Sequence, residues 1–493
     1  MKRDIHEVAS RLKSAKPREY RQAAMLALKL WHYLATLTIF FIAWLLFRYH
    51  TLSVHGQPDF RYNYFVTFGY ALLLYFFYRT YNSFLLGYYN VAYLIASQFF
   101  SQLISICIVY ALVTFTWRQF KNPLIFLAML ACQLVLDISW AFAGDFFYFK
   151  VNGTKSTILI YRTELDKKRF GTITGKPSER MFRIDKELQY EGHSFRDIRD
   201  QLEGFDAVCV AGVHSLCRNG ILKYCKEEAI PGFFLPRVGD VIMQEARHIK
   251  SFDSPVLFVS RSVPKPEYKL IKRLFDIAAS ALGLILLSPF MLVTALAVHF
   301  YDGGPAIYKQ KRLTKDGRVF EIYKFRSMRV DAEKDGVARF STGDNDDRIT
   351  PIGKLIRKVR FDELPQLWNI LRGDMSIVGP RPERPEIAAQ FYEYLPSFQL
   401  RLQVKAGLTG YAQVYGRYNS DPYEKLEFDL LYINNMSVLT DLMLMFATAA
   451  ILFSRNSTQG FTDARENLSS EEIKDYDALE EKAETEAETE TET

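Results

Sequence analysis

The sequence predicts a membrane protein of mixed class, membrane α followed by α/β. It reads as a four-helix transmembrane bundle, a parallel α/β domain, and a last domain built on an apolar segment that turns back in the bilayer. Three observations predict this. Four apolar runs follow one another in the first 143 residues. β-like runs alternate with helical stretches between 155 and 263. A further apolar run at 277–300 carries a proline at its centre.

The first four runs lie at about 28–47, 62–78, 91–116 and 123–143, within the bundle expected over 25–148. Each approaches or exceeds the ~17–25 residues that span a bilayer. Trp31, Tyr49, Tyr62, Tyr78, Trp117 and Trp140 stand near their ends, as in interfacial belts. Buried helices of a soluble protein are the alternative, and four in succession at this length argue against it. Asp137 falls inside the fourth run, either on a polar pathway or in a hydrogen bond to a neighbouring helix. Residues 1–24 form the expected cytoplasmic N-terminal segment, because Lys2, Arg3, Arg11, Lys13, Lys16, Arg18 and Arg21 outnumber the cations of any short loop. Four crossings return the chain to the cytoplasm near residue 150. The first run begins too late for a signal peptide and lacks a small-residue cleavage pattern.

Residues 149–265 read as the α/β domain. KSTILIYR (155–162), FDAVCVAG (205–212) and SPVLFVS (254–260) are strand-like, with helical material between them. A dinucleotide site would need G-x-G-x-x-G after the first strand, but YRTELDKKRFG follows Ile160. Cofactor binding is not expected here; assembly or regulation is. Of the five cysteines, Cys107 and Cys132 lie in apolar runs. Cys209, Cys217 and Cys225 stand eight apart with no C-x-x-C pair, which argues against zinc and against a disulfide scaffold.

The third domain is expected over 266–460. Its apolar run has cations on both flanks: Lys269, Lys272 and Arg273 before it, Lys309, Lys311 and Arg312 after it. Charge therefore gives a crossing no preferred direction. Pro289 removes a backbone donor and bends a helix, and the Ser288 hydroxyl can bond the freed carbonyl. One reading is a kinked fifth crossing; the other is a re-entrant helix–break–helix. The phosphate-type motifs all lie downstream, and nucleotide substrates are cytosolic, which favours the re-entrant form. A shorter apolar stretch, 438–453, reads as a helix in the interface or packed on that segment.

Those motifs begin with KFRSM (324–328), which offers Lys324 and Arg326. DNDDRITPIGKLIRKVRFDELPQLWNIL (344–371) places Arg348, Arg357 and Arg360 ahead of Asp362 and Glu363. VGPRPERPE (378–386) sets Arg381 between two prolines, and KAGLTGYAQVYGR (405–417) is glycine-rich, suited to wrapping a nucleobase and ribose. Adjacent helical residues project about 100° apart, so the acidic pair converges on one ion or phosphorus only near a helix end. Pro365 is tolerated in a first helical turn, which puts Asp362 near a helix N-terminus. A carboxylate there is a usable nucleophile. A divalent cation shared with substrate would neutralise a diphosphate, and the arginines would grip phosphate oxygens. A lone D-E-x-P would read as a helix cap on a solvated basic face. The PRP, KFRSM and GLTG motifs within one hundred residues shift the balance to chemistry.

Charge is unevenly placed. From residue 464 onward there are twelve acidic and three basic residues, a net of −9, so the overall +6 leaves +15 on 1–463. A basic, aromatic-rich body suits anionic lipid or phosphorylated substrates. Nucleic acid is disfavoured, because the cations interleave with apolar segments rather than forming a stripe. The acidic tail, expected over 461–493, is polar and like-charged, which points to disorder and a solubilising role.

Taken together, KRLFDI (272–277), Ser288-Pro289, KFRSM, the 347–386 stretch and KAGLTGYAQVYGR resemble the bacterial sugar transferase family, the monotopic polyprenyl-phosphate phosphoglycosyl transferases. The resemblance covers roughly 269–455. Four membrane helices and a Rossmann-like domain ahead of a re-entrant-helix monotopic catalytic domain resemble the family's large members, which initiate O-antigen, capsule or exopolysaccharide units. The resemblance implies transfer of hexose-1-phosphate from a UDP-hexose, galactose or glucose, to undecaprenyl phosphate, with UMP released, at the cytoplasmic face of the bacterial inner membrane. It implies Asp362 as nucleophile through a phosphosugar-aspartate, and Glu363 as its partner in holding Mg²⁺. It implies phosphate or substrate contacts from Arg381, Lys324, Arg326, Arg348, Arg357, Gly407, Thr409, Gly410, Gln413 and Arg417. Ser288 and Pro289 match the family's re-entrant break. Lys272, Arg273 and Asp276 match its membrane-proximal start, the cations facing lipid phosphates. A homodimer is the implied assembly. A non-catalytic scaffold is the rival, and it has no need of an intact Asp-Glu pair and PRP turn.

Overall fold

The structure is a computed structural model that describes residues 16–52, 60–89, 91–173, 182–192, 194–249, 256–330, 332, 348–416 and 421–452. Arg417, the first fifteen residues and the acidic tail lie outside the described residues. The chain divides into two compact units, Met1–Leu235 and Pro236–Thr493.

In the first unit, α1 (Lys16–Leu52), α2 (Phe60–Thr80), α3 (Val91–Trp117) and α4 (Leu124–Asn152) form a closed ring in which each helix packs on the next and α1 meets α4. Its polarity is the reverse of a soluble bundle. Phe65, Phe68, Phe115, Leu127 and Phe142 point outward. Inside, Asp137 lies 3.0 Å from His32 Nε2 and accepts from Gln102 Nε2 at 2.9 Å, while Gln102 also donates to the Tyr78 hydroxyl. Asp137 is thus hydrogen-bonded between helices, one of the two outcomes its position allowed. Polar side chains with no water outside the bundle must find partners within it.

Two expectations change here. Four described helices are long and apolar enough to cross a membrane: Ala23–Tyr49, Val91–Trp117, Leu124–Asn152 and Pro266–Tyr301. The run at 62–78 is not among them, since five tyrosines and Asn63 dilute α2. Tyr78 and Trp140 are not interfacial anchors either. Both are buried, and Trp140 Nε1 donates to the Leu28 carbonyl at 3.1 Å.

After α4 comes a four-stranded parallel sheet: β1 (Lys155–Tyr161), β2 (Phe182–Gln189), β3 (Ala207–Ala211) and β4 (Gly232–Phe234), in the order β2-β1-β3-β4. Its central strands are apolar on both faces. Ile158, Ile160, Val208 and Val210 pack on one side, Leu159, Tyr161, Cys209 and Ala211 on the other. Such runs mark strands covered by helices on both sides. Burial pushes the Cys209 thiol up to about 12 and those of Cys217 and Cys225 to about 11, so all three are unreactive packing residues. In an open sheet of this order a ligand crevice falls where the strand order reverses, between β1 and β3. Buried Asp166 fills that place, accepting from Thr163 N and Oγ1. Gly212, at φ 68°, admits it: a Cβ there would stand 2.1 Å from Asp166 Oδ2.

The second unit begins at Pro236, so residues 236–265, expected with the α/β domain, pack with the last domain instead. Val241 is fully buried in that unit's core beside Leu426 and Tyr432, and its carbonyl accepts from Asn434 Nδ2 at 2.7 Å. The long apolar segment is α9 (Pro266–Asp302), the helices between being α5 (Glu164–Ile173), α6 (Phe195–Arg199), α7 (Ser215–Glu227) and α8 (Val238–Met243). The helical conformation runs through Pro289, although proline has no N–H to continue the hydrogen-bond ladder. Ser288 Oγ donates at 2.7 Å to the Ile285 carbonyl, the acceptor that a residue at 289 would otherwise serve. The segment is one helix of 37 residues with Pro289 inside it.

Around α9 are two antiparallel pairs, β5 (Arg247–Ile249) with β6 (Val256–Phe258) and β7 (Ile307–Leu313) with β8 (Val319–Phe325). The helices α10 (Pro351–Lys358) and α11 (Gln366–Arg372) precede the parallel pair β9 (Ser376–Val378) and β10 (Gly407–Thr409). Then come α12 (Pro385–Tyr394), α13 (Tyr411–Val414), α14 (Pro422–Asn434) and α15 (Val438–Leu452). Residues 438–452 of the apolar stretch expected at 438–453 form this last helix. It packs on α9 and on the β9–β10 pair, with Leu444 fully buried.

Candidate active site

Three elements converge on the acidic pair. β8 carries Lys324 next to its last residue, the end of α10 and its connection to α11 carry Arg357, Arg360, Asp362 and Glu363, and the turn after β9 carries Arg381. α10 starts where Pro351 fits a first turn and Thr350 Oγ1 accepts from Gly353 N. Gly353 lets it approach the segment that follows β8, since a Cβ there would stand 1.9 Å from the Ser327 carbonyl. Arg360 then takes a left-handed conformation, φ 58°, and turns the chain into a 3₁₀ turn, Phe361–Glu363. Phe361 and Leu364 pack with Met291, Ala295 and Val298 of α9. Pro365 caps α11, so Asp362 and Glu363 sit in the turn just ahead of that helix rather than in its first turn.

The two carboxylates have unlike surroundings. Glu363 Oε1 accepts from Arg381 at 2.8 Å and from Lys324 Nζ at 3.3 Å, and Arg360 stands 4.0 Å away. Burial opposes its charge, but Arg381, Lys324 and Arg360 together hold the carboxyl far below its usual range. Asp362 Oδ1 is buried with no hydrogen-bond partner among the described residues. Burial raises its carboxyl above the ordinary value, and the Glu363 anion adds to the rise; Lys324, Arg357 and Arg360 moderate it. Both acids are desolvated, but one oxygen of Glu363 is held by cations whereas Asp362 Oδ1 has no hydrogen-bond partner among the described residues.

Of the residues expected to handle phosphate, Lys324, Arg357, Arg360 and Arg381 gather at the pair. Arg326 does not. Buried, it reaches the Val298 carbonyl at 3.4 Å near the end of α9, in space that Gly304 leaves open. Arg348 joins β8 to α10 through its carbonyl, which accepts from Arg329 N. Gly407 and Gly410 act on the backbone. A Cβ at either would overlap Gly379, so they let β10 lie against the PRP turn, where Gly379 N donates to Thr409 O and Gly407 N to Pro380 O. Thr409 Oγ1 meets Thr448 Oγ1 of α15, and both amide atoms of Gln413 are buried without partners among the described residues.

The expected lipid-phosphate cations are engaged within the unit. Lys272 Nζ is 2.7 Å from Asp441 Oδ2, and Arg273 donates to the Ile370 and Leu371 carbonyls at 2.7 and 2.8 Å, capping α11. A helix C-terminus draws a cation to its unpaired carbonyls. Asp276 accepts from Ile377 N at 3.0 Å and so fixes β9 to α9. Asp441 lies 165 residues beyond Asp276 in sequence, and nothing in the local pattern marks it as the partner of Lys272.

Among the described residues no three His, Cys, Asp or Glu side chains converge on a metal position. A hard cation that keeps several waters and takes substrate phosphates needs only one or two carboxylates. The orphaned Asp362 oxygen and the second oxygen of Glu363 fit that demand.

The bacterial sugar transferase profile matches residues 267–455. The chain is 43% identical over 189 residues to a UDP-N-acetylgalactosamine-undecaprenyl-phosphate N-acetylgalactosaminephosphotransferase of Aeromonas hydrophila, covering 38% of this chain and 44% of that one. It is 41% identical over 202 residues to a UDP-glucose:undecaprenyl-phosphate glucose-1-phosphate transferase of Escherichia coli K12, covering 40% and 41%. The chain thus spans less than half the length of these relatives. A Bacillus subtilis protein provisionally named an undecaprenyl-phosphate N-acetylgalactosaminyl 1-phosphate transferase is 46% identical over 135 residues, which are 27% of this chain and 74% of its own. The chain belongs to the bacterial sugar transferase family. The match falls within the second unit, so every residue of the acidic-pair site lies in the sugar transferase region.

Proposed function

We propose that the second unit transfers a hexose-1-phosphate from a UDP-sugar to undecaprenyl phosphate, the first step of capsule, O-antigen or exopolysaccharide assembly. The observation that carries this reading is the asymmetry of the acidic pair. Glu363 Oε1 is held by Arg381 and Lys324, while Asp362 presents an unpartnered, desolvated oxygen beside three cations, Lys324, Arg357 and Arg360. An Asp362 oxygen attacks the β-phosphorus of the donor, the bond from that phosphorus to the bridging oxygen breaks, and UMP leaves. A phosphate oxygen of undecaprenyl phosphate then attacks the same phosphorus and releases the carboxylate. Arg357, Arg360 and Arg381 offset charge on the diphosphate. Mg²⁺ held by Asp362 and Glu363 supplies charge neutralisation of the donor when bound.

The site works at a membrane surface. α9 is about 55 Å long, and the same unit binds it near both ends, through Lys272–Asp441 and Arg273–Ile370 at one and Val298–Phe325 at the other. A perpendicular crossing would drag this charged unit into hydrocarbon. Bent at Pro289, the helix then enters and leaves one leaflet, its outer face of Leu274, Ile285, Leu286, Leu292, Val293 and Phe300 buried in lipid beside Leu355, Val359 and Trp368. A cytosolic UDP-sugar places that leaflet on the cytoplasmic face of the bacterial inner membrane.

The test is a panel of UDP-hexoses with undecaprenyl phosphate and UMP detection. Asp362→Asn should cut UMP release by about 10³-fold or more, and sugar-labelled donor should leave label on the wild-type protein but not on the variant. Undiminished turnover in Asp362→Asn removes the nucleophile.

A further inference from the structure

Behind the PRP turn lies a second charged cluster that the reaction above does not use. Arg401, in the 3₁₀ segment Pro396–Gln403, is 3% exposed, and Asp429 on α14 is 1% exposed. Their ion pair measures 2.7 Å. Arg401 also donates at 2.8 Å to the carbonyl of Arg381, the residue whose guanidinium grips Glu363. From the opposite side Arg312 donates to the Pro382 carbonyl at 3.1 Å. Glu383 lies between them, 3.6 Å from Arg401 and 4.0 Å from Arg312. The Arg401 guanidinium stacks over Phe398 at 4.7 Å, so its plane is set as well as its charge.

We infer that Arg401, pinned by Asp429 and Glu383, is a positioning residue that fixes the Arg381 backbone and so aims the Arg381 side chain at Glu363. The inference rests on the reading of Asp362 and Glu363 as the reacting pair. Burying two charges this deeply is costly, and the fixed contacts the pair does make are its own 2.7 Å ion pair and the hydrogen bond to the carbonyl of a site cation, Arg381. Arg401 Nη2 serves both Asp429 and the carbonyl while Nη1 faces Glu383 at 3.6 Å, a spread of contacts that a single lysine ammonium on a flexible stem reproduces poorly. Prolines on both sides of Arg381 stiffen the turn, so a shift at its carbonyl reaches the side chain nearly undamped.

The test uses the full chain in bilayer discs with UDP-sugar and undecaprenyl phosphate, reading UMP release against pH. Arg381, Lys324, Arg357 and Arg360 face the acidic pair, so loss of aim at Arg381 alters how the pair titrates. Arg401→Lys should lower kcat/KM by about tenfold or more and move the acid limb of the profile to higher pH. Arg381→Lys should do the same, and the double variant should lose little beyond Arg381→Lys alone, because Arg401 acts through it. Additive losses, or a tenfold loss with an unmoved acid limb, would show Arg401 to be packing only. If Arg401→Lys does not accumulate as folded protein, Asp429→Asn, of the same shape, takes its place with the same expectations. If the wild type releases UMP from no donor, the proposed function fails first. The inference is then read from acid unfolding, where the Arg401 and Arg381 variants should raise the midpoint non-additively, and additivity overturns it.

Discussion

At the scale of single residues, the pair Asp362–Glu363 works through difference. Two adjacent acids share one desolvated site, yet only Glu363 is paired with cations, so the environments push their titrations apart. The sign of each effect can be followed. The Glu363 carboxyl is depressed in the folded state. Its contribution to stability is present above its ordinary value of 4.5 and is lost as pH falls toward its folded value. Asp362 is raised, so it opposes folding as pH rises from 3.8 to its folded value, and its ionised form predominates only above that value. Glu363→Gln removes the neighbouring anion and should shift the acid limb of kcat/KM to lower pH. It also leaves Arg381 and Lys324 without their acceptor and should reduce turnover about 10–10²-fold at neutral pH. A pH–rate series on the variant measures both. That Lys324, Arg357, Arg360 and Arg381 gather at the acidic pair was expected from the sequence, whereas Arg326, expected with them, is turned to the Val298 carbonyl. The partners of Lys272 and Arg273 were not legible, because Asp441 and the end of α11 approach them only through the tertiary fold.

At the scale of elements, α9 shows what a sequence pattern states and what it leaves open. Ser288-Pro289 marked the place and named the compensating bond, and Ser288 Oγ does meet the Ile285 carbonyl. The continuity of the helix was not legible, because proline specifies a missing donor and not the angle the chain adopts. Direction in the membrane follows from which residues hold the helix ends. Lys272 and Arg273 near its start, and Val298 near its end, are bound by one compact unit. A reporter fused after residue 310 should therefore lie in the cytoplasm, on the same side as one fused at residue 265. A phosphatase reporter active in the periplasm at 310 would make α9 a crossing. The glycines of 405–417 carry a related lesson. Read from sequence they suggested a nucleotide wrap, whereas Gly407 and Gly410 are spent on the approach of β10 to the PRP turn.

At the scale of the whole molecule, the two compact units divide the work unequally. Each residue placed in the acidic-pair site, together with the Arg401 cluster behind it, lies in Pro236–Thr493. The family match lies within the same unit, over 267–455. The Bacillus subtilis relative devotes 74% of its length to 135 aligned residues, which leaves it no room for a counterpart of Met1–Leu235. The first unit has its own core, a sheet whose switch crevice is filled by Asp166, and a bundle whose polar interior is tied together helix to helix. Transfer should then survive its removal. A chain starting at residue 236 keeps Val241 in the core beside Leu426 and Tyr432, whereas one starting at 266 exposes that surface and should be less stable. In detergent or bilayer discs, the 236–493 chain should release UMP from the preferred donor within about tenfold of the full chain. The 266–493 chain should fall below it in thermal midpoint while retaining the same pH profile. Loss of UMP release from a folded 236–493 chain would assign the first unit a part in the reaction, and the bundle interior around His32 and Asp137 would be the first place to look for it.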